Sequence, residues 1–324
     1  MPASIGLRAD FGHSLWAVSS TIASPVSAPR AATGVLAKVG SYIALTKPRI
    51  IELLLVSTVP TMIVAERGMP SLWLMFATVF GGTLSAGGAN AINMYVDRDI
   101  DALMDRTKKR PLVTGAMTPA AALTFAISLE IVAFFFLWAF VNLLSAVLAV
   151  SACLFYVFIY TLWLKRTSKS NIVIGGAAGA APVLIGWSSV TNQLSWAPWV
   201  LFGVMFFWTP PHFWALAIKY KDDYSRAEVP MLPSVASFET VSRKIIAYSI
   251  VVVALSLVFG PVAELGVLYM VSAAVLGAGF LGLSVQVLRT ESPAVAMRLF
   301  TYSITYVTLL FGAMAVDQLV RFGL

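Results

Sequence analysis

Asn93-Met-Tyr-Val-Asp97-Arg-Asp-Ile-Asp101-Ala-Leu-Met-Asp105-Arg-Thr-Lys-Lys-Arg110 closes a long apolar run that begins at Ser71. Asn93, Asp97, Asp101 and Asp105 recur every four residues. On a helix that spacing stacks the four side chains on one face, one turn apart. Like charges so placed repel each other and weaken the helix. The row therefore calls for a compensating cation. Mg²⁺ is the simplest choice, because it takes a few carboxylates and keeps sites for water and phosphate oxygens. Arg106, Lys108, Lys109 and Arg110 follow at once, and cations of this kind suit phosphate charge. The plain alternative is a solvated loop of mixed charge, against which the regular order of the acids argues.

Outward from this ladder, the composition sets the class. The chain has 324 residues, 59% hydrophobic and 11% charged. Soluble domains carry roughly 25% charged residues. Charge this sparse and apolar runs this long indicate an all-α polytopic membrane protein. The net charge of +7 is no sign of nucleic-acid binding, because its placement along the chain matters more than its sum. Cys153 is the single cysteine, so no intramolecular disulfide is available, and a packed core thiol is expected. His13 and His212 are too few and too far apart for a histidine-rich metal centre.

Residues 1–40 are rich in Ala and Ser and poor in acids, and read as a flexible cytoplasmic tail; a weak organelle-type presequence is the alternative. Residues 41–324 form the membrane domain. Nine apolar segments reach the ~20 residues that span a bilayer: Ile43–Ala65, Ser71–Tyr95, Pro119–Phe140, Leu143–Leu164, Ile172–Val190, Ala197–Ile218, Ile245–Val262, Leu265–Leu288 and Leu299–Val320. They are continuous rather than alternating, so they are helices. With a cytoplasmic amino terminus, the loops after spans two, four, six and eight gather nearly all the Lys and Arg, whereas the outside loops hold Arg67 alone, with Arg321 at the far terminus. The positive-inside rule then puts the carboxyl terminus outside. Three polar loops share the inner face: the ladder, Lys165-Arg166-Thr-Ser-Lys169, and Lys219-Tyr220-Lys221-Asp222-Asp223-Tyr224-Ser225-Arg226. Polar groups gathered at one mouth suit an intramembrane enzyme better than a pore.

Small residues mark two spans, Gly81, Gly82, Gly87 and Gly88 in the second and Gly175 to Ala181 in the fifth, where backbones can approach closely. The second and sixth spans both end in acids followed by bases, a two-member echo of related halves. A diphosphate on a long apolar tail satisfies all of this. The tail needs a groove at lipid depth, and the head needs divalent metal and cations at the surface. Metal on the diphosphate makes it a leaving group, and the allylic cation left behind needs shielding from water. The acceptor stays open on this argument.

Asn93-x-x-x-Asp97-x-x-x-Asp101 at the end of a second membrane helix resembles the first motif of the UbiA-type intramembrane prenyltransferases. Three stretches resemble more narrowly the protohaem IX farnesyltransferase (haem O synthase) branch: Asn93 to Gly115, Tyr160 to Gly186, and Trp208 to Pro233, the last with Trp-Thr-Pro-Pro-His-Phe-Trp-Ala-Leu-Ala and Lys-Asp-Asp-Tyr. Thr46-Lys47-Pro48-Arg49 also fits. The resemblance implies nine transmembrane helices around a central cavity open to the cytoplasm of a bacterial inner-membrane protein. It implies farnesyl transfer from farnesyl diphosphate to a vinyl group of haem B, with addition of water, giving haem O and diphosphate. A haem A synthase would then act downstream, and Mg²⁺ is the implied cofactor. Asn93, Asp97 and Asp101 would hold Mg²⁺ and diphosphate. Arg106, Lys108, Arg110, Lys165 and Arg166 would neutralise the diphosphate, with Lys47 and Arg49 as weaker candidates. Asp105 continues the ladder, and Asp99 lies off it and is expected to be exposed. The second motif departs from the superfamily's Asp-x-x-x-Asp, because Arg226 stands four residues after Asp222. Asp223 with Tyr224, then Asp222, are its remaining candidates, Asp223 as a metal ligand. His212 follows Pro210-Pro211 within a span. An intramembrane histidine suggests iron ligation or proton transfer, with a packed histidine bonded to a freed carbonyl as the alternative. Two other readings remain: an aromatic-acceptor prenyltransferase of quinone synthesis, and a transporter of amphipathic anions.

Overall fold

The computed structural model describes residues 34–323, with backbone only at 49–55; the expected tail up to residue 33, with His13, lies outside the described residues, as does the Arg49 side chain. All regular structure among the described residues is helical. In chain order the helices are α1 (Val35–Thr46), α2 (Pro48–Glu66), α3 (Leu72–Val96), α4 (Arg98–Leu103), α5 (Pro119–Phe140) and α6 (Leu143–Leu154). α6 runs on as a π-helix over Phe155–Leu164 and closes with α7 (Lys165–Thr167). Then follow α8 (Asn171–Thr191), α9 (Trp196–Lys219), α10 (Lys221–Arg226), α11 (Leu232–Val235), α12 (Phe238–Val262), α13 (Val267–Thr290) and α14 (Pro293–Phe322).

Eight helical stretches among the described residues are long and apolar enough to cross a membrane, and they coincide with the second to ninth expected spans. The first expected span differs. Ile43–Ala65 is not one helix, because Lys47 adopts left-handed backbone (φ 52°, ψ 63°) and separates α1 from α2. Pro48 explains the break: its ring excludes helical backbone at the preceding residue, and as the first residue of α2 it loses no hydrogen bond. α1 lies partly within the stretch read as tail, and Val35, Leu36, Val39 and Ile43 on it are exposed.

Helix ends are capped by the residues that sequence chemistry favours. The Ser71 and Thr118 side chains accept from the backbone N–H groups of Leu74 and Ala121 and start α3 and α5. The two halves pack differently. α3 packs on α5, α5 on α6 and α6 on α8, while α9, α12, α13 and α14 form a second group that meets α2 through α14. The second group holds the main core, with Trp208, Trp214, Phe259, Tyr269, Phe280, Tyr306 and Phe311 fully buried or nearly so. A cavity lies between the first group and α9. The echo between halves is visible: α3 and α9 each end in a six-residue helix, α4 or α10, that carries acids in its first turn.

Two glycines fix how close α8 comes to its neighbours. A Cβ on Gly186 of α8 would lie 2.8 Å from the Thr58 carbonyl oxygen of α2. A Cβ on Gly175 would run into the Tyr160 ring. Both approaches need a residue without a side chain.

Candidate active site

The ladder holds as a helical face through its first three members. Asp97 N–H bonds Asn93 O at 2.9 Å and Asp101 N–H bonds Asp97 O at 2.8 Å, carrying the helical pattern across the junction of α3 and α4. Asn93, Asp97 and Asp101 are buried. The ladder stops there. Met104 is extended (φ −101°, ψ 129°), so Asp105 leaves the helix and stands exposed.

Each buried acid carries a cation drawn from another part of the chain. Lys165 Nζ donates to Asp97 Oδ2, and Arg110 Nη1 donates to Asp101 Oδ2. Lys47 Nζ donates to Asn93 Oδ1 at 2.8 Å. Asn93 Nδ2 donates to Asp97 Oδ2 at 2.7 Å and to Thr161 Oγ1 at 3.1 Å. The π-helix sets this register: its wider turn brings Thr161 to Asn93 and ends at Lys165, whose N–H bonds Tyr160 O. Such turns recur at functional sites. Asp97 Oδ1 is the exception to this pairing. It is buried without a hydrogen-bond partner, and Arg166 Nη2 stands 3.8 Å from it.

Arg166 is engaged elsewhere, donating twice to Asp99 at 2.7 Å. These bonds hold the Asp99 carboxyl at about 2, below the usual range, against a smaller opposing effect of burial. Asp99 is exposed, as expected, yet paired. Lys108 bonds Asp105 at 2.6 Å on the surface and is absent from the cavity wall. Arg226 Nη2 bonds Asp105 Oδ2 at 2.8 Å and also Asp223 Oδ1. Asp222 is exposed. The three polar loops read as sharing one face therefore meet: Arg166 ties α7 to α4, and Arg226 ties α10 to the loop after α4. At the other end of the bundle, Arg67 bonds the Glu264 side chain at 2.7 Å and Arg321 bonds its carbonyl.

Beneath the cation ring lies a cavity of about 350 Å³. Lys47, Asn93, Asp101, Arg106, Arg110, Lys165 and Tyr224 line its polar part. Ala86, Ala89, Ala149, Ala152, Gly179, Ala181 and Ile185 line its apolar part, with Tyr156, Tyr160, Trp208 and Phe213 adding aromatic walls. Asp97 has no exposed surface and sits behind this lining. Arg106 has no acid partner among the described residues and packs on the Tyr220 ring at 6.0 Å.

His212 is not brought to the cavity wall. Its Nδ1 pairs with Ser303 Oγ at 2.7 Å, and Ser303 Oγ also donates to Phe300 O at 2.6 Å. The imidazole is stacked between Trp208, at 4.3 Å, and Phe300, at 4.6 Å. It reaches the site through Trp208 and through Phe213, whose ring it meets edge-on at 5.1 Å. The partner of Nδ1 is thus a hydroxyl on α14 and not, as in the alternative reading, a carbonyl freed by the prolines.

Several site residues escape a reading of the ladder. Asn90 lines the cavity three residues before Asn93 on the same face, and helical spacing alone could have found it. Ser57, Ser85, Tyr156 and Thr161 gave no such signal. Glu130, inside α5, accepts from Ser85 Oγ at 3.0 Å and keeps Oε1 buried without a hydrogen-bond partner.

The residues fit a divalent cation at the ladder. Two carboxylates one turn apart, with the Asn93 amide, form a sparse oxygen set of the kind Mg²⁺ uses, and the unpartnered Asp97 Oδ1 is an acceptor still to be satisfied. Among the described residues no three acids, histidines or cysteines gather as a denser cage.

A cation-ringed acidic mouth above an apolar cavity, within a helical membrane bundle, defines an intramembrane prenyltransferase. The chain belongs to the UbiA prenyltransferase family, whose model matches residues 54–311. Among curated relatives, the protoheme IX farnesyltransferase of Parafrankia sp. (strain EAN1pec) is 59% identical over 283 residues, 86% of this chain and 90% of that one. The protein of the same name from Streptomyces coelicolor is 55% identical over 293 residues, 88% of this chain and 92% of that one. Among solved structures, a digeranylgeranylglyceryl phosphate synthase superposes with a TM-score of 0.73 at 16% identity, over 87% of this chain and 99% of that one. A UbiA homologue from Archaeoglobus fulgidus bound to GPP and Mg²⁺ gives 0.59 at 17% identity, over 85% and 99%. At these identities the solved structures speak for the fold alone.

Proposed function

We propose that this chain transfers a farnesyl group from farnesyl diphosphate to a vinyl carbon of haem B, with water adding at the neighbouring carbon, to give haem O and diphosphate. The observation that carries the reading is the buried ladder with its cations set directly above an apolar, aromatic-walled cavity. The names of relatives above 50% identity over most of the chain support haem as the acceptor.

In this reading Asn93, Asp97 and Asp101 would hold Mg²⁺ at the diphosphate, and Lys165 and Arg110 exchange their carboxylate partners for phosphate oxygens as it binds. A divalent ion there supplies Lewis-acid stabilisation of the leaving group. Arg106 and Lys47 add charge at the mouth. The C1–O bond of the farnesyl group breaks, and its electron pair leaves with diphosphate. The terminal vinyl carbon bonds C1, and water adds to the inner vinyl carbon and releases a proton. Tyr156, Tyr160, Trp208 and Phe213 exclude bulk water, and their faces favour the cationic carbon. His212 acts through Trp208, by holding the ring that walls the cavity. The mouth faces the cytoplasm of a bacterial inner membrane in this reading, since the Lys- and Arg-rich loops lie at that end. The product would pass to a haem A synthase.

The test is a mass spectrum of haem extracted after incubating purified protein with farnesyl diphosphate, Mg²⁺ and haem B, beside a reaction with 4-hydroxybenzoate. A haem species heavier by one farnesyl group and one hydroxyl group is expected. Farnesylated hydroxybenzoate with unaltered haem would overturn the assignment.

A further inference from the structure

The second acidic loop has its own cation. Arg226 Nη2 bonds both Asp223, three residues before it on α10, and Asp105, in the loop after α4. The remaining Asp105 oxygen accepts from Lys108 Nζ at 2.6 Å. Both Asp105 oxygens are thus taken, and a guanidinium stands between the two carboxylates. A divalent ion entering there would meet a fixed positive charge and lose the acid ligands to it. The contrast with the ladder is direct, because Asp97 Oδ1 is buried and lacks a hydrogen-bond partner.

We propose that Arg226 is the resident cation of the Asp105–Asp223 pair, so that the mouth takes one divalent ion, on the ladder. Asp223 is then a partner of Arg226 rather than a metal ligand, and Arg226 is a positioning residue that fastens α10, with Tyr224 at the cavity wall, to the first acidic loop. A guanidinium serves here because it keeps its charge at any working pH and can bond two carboxylates at once. The inference rests on the proposed binding of a metal–diphosphate at the ladder.

Mn²⁺ is a paramagnetic probe that counts the sites. The full chain in detergent, saturated with a farnesyl thiodiphosphate that resists cleavage, is titrated with Mn²⁺ and the bound ion counted by electron paramagnetic resonance. One ion per chain is expected. Arg226→Asp removes the cation and adds a carboxylate, and should bind two. Two ions in the unaltered protein would overturn the inference while leaving the farnesyl-transfer reading intact. No bound ion would overturn both. A folded Arg226→Asp protein that still binds one ion would also count against it, and the count on the unaltered protein decides the matter if that variant fails to fold.

Discussion

Lys165 Nζ donates to Oδ2 of Asp97, a carboxylate with no exposed surface, across 68 residues of chain. The contact joins the end of the π-helix to the end of α3. It is the only hydrogen bond from a cationic group to the Asp97 carboxylate among the described residues, since Arg166 stands 3.8 Å away and is committed to Asp99. Lys165→Met should therefore leave a buried charge uncompensated. Breaking a buried pair in this way costs about 3–5 kcal/mol. Chemical denaturation in detergent should show a loss of that order. Adding Asp97→Asn should recover much of the stability, while farnesyl transfer stays lost in both proteins. Equal stability of Lys165→Met and the unaltered chain would show that the pair contributes nothing.

The ladder and the meeting of the three loops were legible because each rests on local rules. Four-residue spacing fixes a helical face, and the distribution of Lys and Arg fixes which loops share an end. The break at Lys47 was legible in principle from Pro48, but apolar residues on both sides hid it. The π-helix was not legible: Phe155–Leu164 is apolar all round, so no periodic pattern betrays its wider turn. For the same reason nothing in α9 said which way His212 points. Its partners, Ser303 and Phe300, lie on α14, and only the packing of the second group reveals them.

That packing yields a second prediction. His212 bridges α9 and α14 through Ser303 and steadies Trp208 at the cavity wall. His212→Ala should lower haem turnover by about tenfold or more, equivalent to ~1.4 kcal/mol. Binding of farnesyl diphosphate, whose head lies at the ladder, should change little. Turnover and equilibrium binding measured on the same preparation separate the two effects. Unchanged turnover would mean that Trp208 holds its place without the imidazole.

Gly175 and Gly179 share α8 and the cavity lining, yet differ in their surroundings. A Cβ at Gly179 meets nothing within 4 Å, whereas one at Gly175 runs into the Tyr160 ring. Gly179→Ala should therefore leave stability unchanged. Gly175→Ala should cost about 1–3 kcal/mol, as overpacked sites do. It should also push Tyr160 into the cavity and raise KM for farnesyl diphosphate. Thermal unfolding and steady-state kinetics of the two variants provide the comparison.

The Arg166–Asp99 pair sets a pH window. Asp99 is held at about 2 when folded, against about 3.9 for a free aspartate. A lowered folded value stabilises the fold above the free value, and that contribution disappears as pH falls from about 4 through 2. Asp99 is largely exposed, so the contribution at neutral pH is small. Asp99→Asn should flatten the loss of stability between pH 4 and 2 while leaving it nearly unchanged at pH 7, a difference that acid titration followed by circular dichroism would read.

Arg106 and Arg110 sit four residues apart and both line the cavity, but only one has an acid to answer to. Arg110 neutralises buried Asp101, so Arg110→Met should weaken the fold as well as the reaction. Arg106 is exposed at the mouth, with the Tyr220 ring as its neighbour, and its charge is free for an arriving anion. Arg106→Met should leave the unfolding transition where it is and raise KM for farnesyl diphosphate by about tenfold, the ~1.4 kcal/mol expected of one charge-assisted hydrogen bond. Arg106→Lys should recover only part of this, because an ammonium lacks the planar pair of donors. A destabilised Arg106→Met protein would mean that the guanidinium braces the loop, and the role of diphosphate ligand would pass to Lys47.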